Sequence, residues 1–147
     1  MTQMSEVESY FASLQSRLHQ AEHMTRRKVG FEAWSPEPAK CHENVDFWVS
    51  HNPNLKPVRG WILSQGVVAG RCLYEAHSVI EEEGVLYDIT LREDVACERV
   101  PFLRHVGTEE EFSKMKEGRA QIMFPPITVD EWLEAQRPPI EEGGEQW

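Results

Sequence analysis

Apolar residues along the first part of the chain recur at helical spacing. Val7, Phe11, Leu14, Leu18 and Ala21 fall on one stripe and predict a helix over residues 5–24. Ser5 followed by Glu8 is a capping box that sets its start. Residues 25–40 break the pattern, and Pro36 and Pro38 disfavour helix before them, so a linking loop is expected there. A shorter helix follows over residues 41–50, with Val45, Trp48 and Val49 as its apolar face. Residues 56–65 have the β-branched and aromatic content of a strand, and residues 66–70 can turn the chain. Residues 71–82 and 84–91 read as two strands joined by a tight turn, and a further short strand is expected near residues 99–105. Thr108 with Glu111 opens a helix through about Met115, and Thr128 with Glu131 opens another over residues 129–136.

The order is helix, helix, a run of antiparallel strands, then helices. That is an α+β domain, with helices packed on a small antiparallel sheet. The 147 residues suit one domain, expected over residues 1–137, with the Pro-, Gly- and Glu-rich residues 138–147 as a flexible tail. No long apolar run is present, which argues against a membrane span. The N-terminus has no basic start followed by an apolar stretch, so a cytoplasmic protein is expected. A formal net charge of −10 argues against nucleic acid as a partner, because phosphate binding draws on Lys and Arg. The basic run Arg26, Arg27 and Lys28 is too short to offset it. The sequence leaves the oligomeric state open.

Three cysteines, Cys41, Cys72 and Cys97, give no disulfide framework. Cys72 and Cys97 sit among apolar neighbours and read as small buried hydrophobes. Cys41 stands at a helix start, where amide groups and the helix dipole favour a thiolate and can hold an oxyanion. His77 and Asp88 flank the hairpin turn. A turn centred on Glu82-Glu83 places them opposite each other; a turn on Glu83-Gly84 makes them diagonal neighbours. Both put them on one sheet face, and a three-residue loop would separate them. A carboxylate beside an imidazole fixes its tautomer and frees the other ring nitrogen to act as a base. Asn44, one turn after Cys41, is a candidate oxyanion donor or a loop orienter. His42 is expected to point elsewhere on the helix and to be exposed. Trp48, Trp61, Phe102 and Trp132 read as core or pocket wall, and Trp61 is the candidate wall on the strand before His77. Arg104 and His105 are candidates for a positive anchor at the cleft rim, against the plainer reading of solvated residues at a strand end. A metal site would use Cys41, His51 and His77 with Glu75, but their spacing follows no zinc motif, so neither metal nor other cofactor is expected.

Cys41 at a helix start, His77 on a strand 36 residues later, and Asp88 with Thr90 in "YDIT" on the next strand resemble the papain-like superfamily. The nearest branch is the transglutaminase-like and arylamine acetyltransferase-like group, where the Asp often lies in an Asp-Pro-Thr string. The resemblance covers roughly residues 41–90. It departs from that group in Ile89, which replaces the proline, in a shorter His–Asp hairpin, and in the lack of Gln or Asn just before Cys41. It implies a nucleophilic Cys41, a base His77 and an orienting Asp88. The implied activity is hydrolysis or acyl transfer on an amide, ester or thioester of a small molecule or peptide. The alternative is a non-enzymatic module that binds a protein or small molecule in the same cleft.

Overall fold

The computed structural model describes residues 5–65, 71–118, 121–125 and 129–136. Its helices are α1 (Glu6–Ser16), α2 (Cys41–Ser50), α3 (Glu109–Lys116) and α4 (Val129–Gln136). Its strands are β1 (Glu22–His23), β2 (Thr25–Arg26), β3 (Lys56–Gln65), β4 (Cys72–Glu82), β5 (Val85–Asp88), β6 (Pro101–Arg104) and β7 (Gln121–Phe124). They form one sheet in the order β1-β6-β3-β4-β5-β2, with β7 also paired to β4. The architecture is α+β, but the sheet is mixed rather than wholly antiparallel, because β2 runs parallel to β5.

Local signals set several elements. Ser5 accepts from the Glu8 amide and Thr108 from the Glu111 amide, each at 3.1 Å, so both capping residues start their helices. Thr128 lies outside the described residues, as do the side chains of Glu131 and Trp132 and the 138–147 tail. The hairpin turns on Glu83 and Gly84, both with positive φ (52° and 80°), the geometry that matches the twist of two antiparallel strands.

Other expectations gave way to long-range pairing. The first helix stops at Ser16, a tight turn over Leu18–Gln20 follows, and the chain then extends into β1 and β2. Leu18 still packs on the core, and Met24, between the two short strands, is fully buried against Val79, Leu86 and Phe102. Strand addition thus buries the end of the apolar stripe that a longer helix would have carried. The basic run serves the same edge. Arg26 donates to the carbonyls of Leu91, Arg92 and Val95, and the Arg27 guanidinium lies 3.9 Å over the Tyr87 ring.

Even-numbered residues of β4 face the helices, in two clusters along its length. Tyr74 joins Phe11, Leu14, Trp61, Leu103, Phe112 and Met115 beneath α1 and α3, while Ile80 joins Val45, Leu55 and Tyr87 beneath α2. Val79 faces the other way, into the cluster with Met24 and Phe102. Gly60 allows this packing: a Cβ there would lie 2.4 Å from the Leu103 carbonyl oxygen and 2.5 Å from the Phe102 ring. Gly60→Ala is therefore expected to destabilise the fold by about 1–3 kcal/mol, as overpacking does. A thermal or urea unfolding midpoint equal to that of the parent protein would contradict it.

β4 is also where the sheet opens. Along one edge it pairs with β3 throughout. Along the other it pairs with β7 at residues 72–75 and with β5 at residues 80–82. Neither of these two ladders includes residues 76–79, and His77 lies in that interval.

Candidate active site

His77 is fixed by the hairpin. The register Ile80↔Tyr87 and Glu81↔Leu86, carried one step further, sets Asp88 opposite Val79 and makes His77 its diagonal neighbour on the same face. His77 Nε2 and Asp88 Oδ1 are 2.5 Å apart, and both residues are buried, at 3% and 0% exposure. The second carboxylate oxygen of Asp88 accepts from the amides of Leu91 (2.6 Å) and Thr90 (3.0 Å). Asp88 therefore holds the imidazole with one oxygen and the turn after β5 with the other.

Cys41 opens α2. The preceding Lys40 gives no side-chain cap, so the first-turn amides are not consumed by one. The half-buried thiol shares one cavity of about 1490 Å³ with His42, His77, Thr90 and residues of α3. Burial alone would push the thiol up, but the His42 and His77 imidazoles more than offset it and bring Cys41 down to about 6. Burial would likewise lower His77, yet the hydrogen bond to Asp88 and the neighbouring Cys41 push it up to about 9. The two shifts, thiol down and imidazole up, both favour the thiolate–imidazolium form of the pair. Since Nε2 is engaged by Asp88, Nδ1 is the ring nitrogen left to exchange a proton with the thiol.

Asn44 is buried and its amide is committed to structure. Its Oδ1 accepts from the Glu37 amide at 3.0 Å, and its Nδ2 donates to the Glu37 carbonyl and to Thr90 Oγ1. It thus ties the loop before Cys41 to the turn after Asp88, the orienting role rather than that of an oxyanion donor. Thr90, two residues after Asp88, is the common point of both.

Three further expected substrate contacts are not brought to this cavity. Trp61 is a core residue whose indole donates to the Tyr10 hydroxyl at 2.8 Å. Arg104 and His105 line a separate, smaller depression with Val58 and Arg59. Carboxylates of Glu22 and Glu81 hold the Arg104 guanidinium, and His105 sits between the Tyr10 hydroxyl and the Thr108 carbonyl. These partners occupy the two side chains expected as an anchor: Arg104 ties β6 to β1 and β4, and His105 ties the end of β6 to α1 and to the start of α3. His51 caps α2 among the rings of Phe31 and Phe47. Among the described residues no three His, Cys, Asp or Glu side chains converge as a metal site.

His42 departs most from expectation. It is half-buried, it lines the cavity, its ring packs T-shaped with Phe112, and its Nδ1 lies 2.6 Å from Ser78 Oγ. Ser78 in turn accepts from Arg59 at 2.9 Å, and Arg59 is paired to Asp46 of α2 and Glu109 of α3. The adjacency of His42 to Cys41 was the one available signal. The buried Ser78 that turns its ring inward comes from a strand 36 residues away.

The chain matches no family model, no curated protein and no solved structure. Among the described residues no helix is long and apolar enough to cross a membrane.

Proposed function

We propose that this protein is a cysteine-dependent hydrolase or acyltransferase with a papain-like, transglutaminase-like core. The observation that carries the reading is the convergence of Cys41, His77 and Asp88 from a helix start and two strands, with a buried His77–Asp88 hydrogen bond beside a cavity that the thiol lines. Cys41 Sγ attacks the carbonyl carbon of an amide, ester or thioester, and the carbonyl π pair moves to oxygen. As the tetrahedral adduct collapses, His77 gives its Nδ1 proton to the leaving group, and a thioester to Cys41 remains. His77 then takes a proton from water or an amine, which attacks the thioester and releases the thiolate. Asp88 stays ionised and keeps the ring oriented.

The cavity walls favour neutral or cationic substrates. Five Glu side chains line it against three Lys or Arg. Two of those cations already have carboxylate partners, Lys114 with Glu6 and Arg92 with Asp94.

An acyl-enzyme is the decisive intermediate. Incubation with p-nitrophenyl acetate at pH 7, followed by intact and peptide mass measurement, is expected to place one acetyl group on Cys41, with a burst of p-nitrophenol equal to the protein present. Cys41→Ser should lose the burst. Acetylation spread over lysines, with none on Cys41 and no burst, would overturn the proposal.

A further inference from the structure

Ser78 Oγ is fully buried and has two partners among the described residues, Arg59 Nη1 at 2.9 Å and His42 Nδ1 at 2.6 Å. A guanidinium only donates, so it takes one lone pair of the hydroxyl. The hydroxyl proton of a buried serine needs an acceptor, and His42 Nδ1 is the partner able to accept it. An Nδ1 that accepts carries no proton. His42 is then the tautomer with its proton on Nε2, and Nε2–H is a donor.

We propose that His42 is a catalytic hydrogen-bond donor at the Cys41 sulfur and at the oxyanion formed beside it, with its tautomer set by the Arg59–Ser78 pair. This rests on the acyl-transfer reading of the same site. Geometry supports it in three ways. His42 and Cys41 are consecutive in the first turn of α2 and line one cavity. The imidazole is held at Nδ1 by Ser78 and packs in a T-shaped arrangement with Phe112. Arg59 is itself held between carboxylates of α2 and α3, so the donor is fixed to both helices that flank the cavity. The lowered Cys41 thiol, to which His42 contributes, agrees with a donor aimed at sulfur. When the thiolate attacks a carbonyl, negative charge moves from sulfur to an oxygen one bond from the attacked carbon. A donor beside sulfur is placed to follow that charge without reorganising. Among the described residues that line the cavity none carries an amide side chain, and the nearby Asn44 is committed to Glu37 and Thr90.

Two measurements test the proposal. Nitrogen-15 correlation spectra of the histidine rings should show His42 protonated on Nε2 and bare on Nδ1 in the parent protein; Ser78→Ala should convert it to a mixture. A parent protein with His42 protonated on Nδ1 overturns the tautomer argument. The pH profile of Cys41 alkylation by iodoacetamide should shift upward in His42→Leu and return toward the parent value in His42→Gln, whose amide NH2 reaches the Nε2 position. With p-nitrophenyl acetate, His42→Leu should lose about 10²–10³ in kcat, the usual cost of one oxyanion donor. An unchanged alkylation profile in a folded His42→Leu protein overturns the role of His42 while leaving Cys41 and His77 in place. A parent protein whose Cys41 has no low-pH onset instead overturns the acyl-transfer reading beneath it. Circular dichroism of each variant confirms the fold, and Ser78→Ala carries the spectral test should His42→Leu fail to fold.

Discussion

Iodoacetamide is expected to alkylate Cys41 in the folded protein with an onset near pH 6, and an early onset is the sharpest signature of this site. The thiolate is the reactive form. With Cys41 brought down to about 6, roughly nine-tenths of it is thiolate at pH 7, against about one per cent for an ordinary thiol. A more acidic thiol is also a poorer nucleophile. A Brønsted slope of about 0.4–0.5 over three pH units removes roughly 16- to 30-fold of reactivity. The two effects nearly cancel at pH 7, leaving an advantage of only about 3- to 6-fold. At pH 6 the population term grows to about 500-fold, and the net advantage reaches roughly 16- to 30-fold. The comparison therefore belongs at pH 6. Cys97 is fully buried and its thiol is pushed up, first by that burial and then by the neighbouring Asp88, so it should stay unlabelled there. His77→Ala should move the Cys41 onset upward.

Acyl transfer should follow a different curve. It needs the thiolate, which appears above about 6, and a protonated His77 for the leaving group, which is lost above about 9. Turnover is thus expected to trace a bell with limbs near those values, while alkylation should rise once and not fall on the alkaline side. Peptide mapping after timed labelling from pH 5 to 10 reads the first curve. An onset near 8.5 or above, with all three cysteines labelled alike, would remove the thiolate–imidazolium pair.

The second large effect is that of Asp88→Asn. Asp88 uses one oxygen on His77 Nε2 and the other on two backbone amides. An asparagine has one oxygen for these two duties. The amides of Thr90 and Leu91 can only donate, so they claim the oxygen, and the NH2 turns to His77. Nε2 must then accept, which moves the ring proton to Nδ1, the atom that has to take the proton from Cys41. The fold should survive, because the turn keeps its acceptor. Acyl transfer should fall by orders of magnitude, about 10⁴ in the comparable serine triad. The Cys41 alkylation onset should rise as well. Unchanged turnover in Asp88→Asn would reduce Asp88 to a residue of the sheet.

The helix starts at Ser5 and Thr108 were legible because a cap depends on residues three apart. The His77–Asp88 pair was legible for a similar reason. A two-residue turn fixes the register of its own hairpin, and an even loop keeps both side chains on one face. The choice between the two possible turn centres fell to Glu83 and Gly84, where the backbone takes positive φ. Cys41 could be named from its place at a helix start, but its lowered thiol depends on rings brought to it by the fold.

Long-range partners decided the rest. The first helix ended early because β1 and β2, two residues each, found places on β6 and β5; strands so short carry no periodicity of their own. Arg104 was drawn away by Glu22 and Glu81, and His105 by Tyr10, which no spacing links to them; only the Thr108 carbonyl beside His105 is local. Asn44 went to the loop and Thr90 for the same reason. The inward turn of His42 was decided by Ser78 and Arg59, on strands far along the chain. Local hydrogen bonds and alternation are written in neighbouring residues. The direction of a polar side chain at a buried edge is set by whichever partner the fold delivers there, and that lies in the tertiary structure alone.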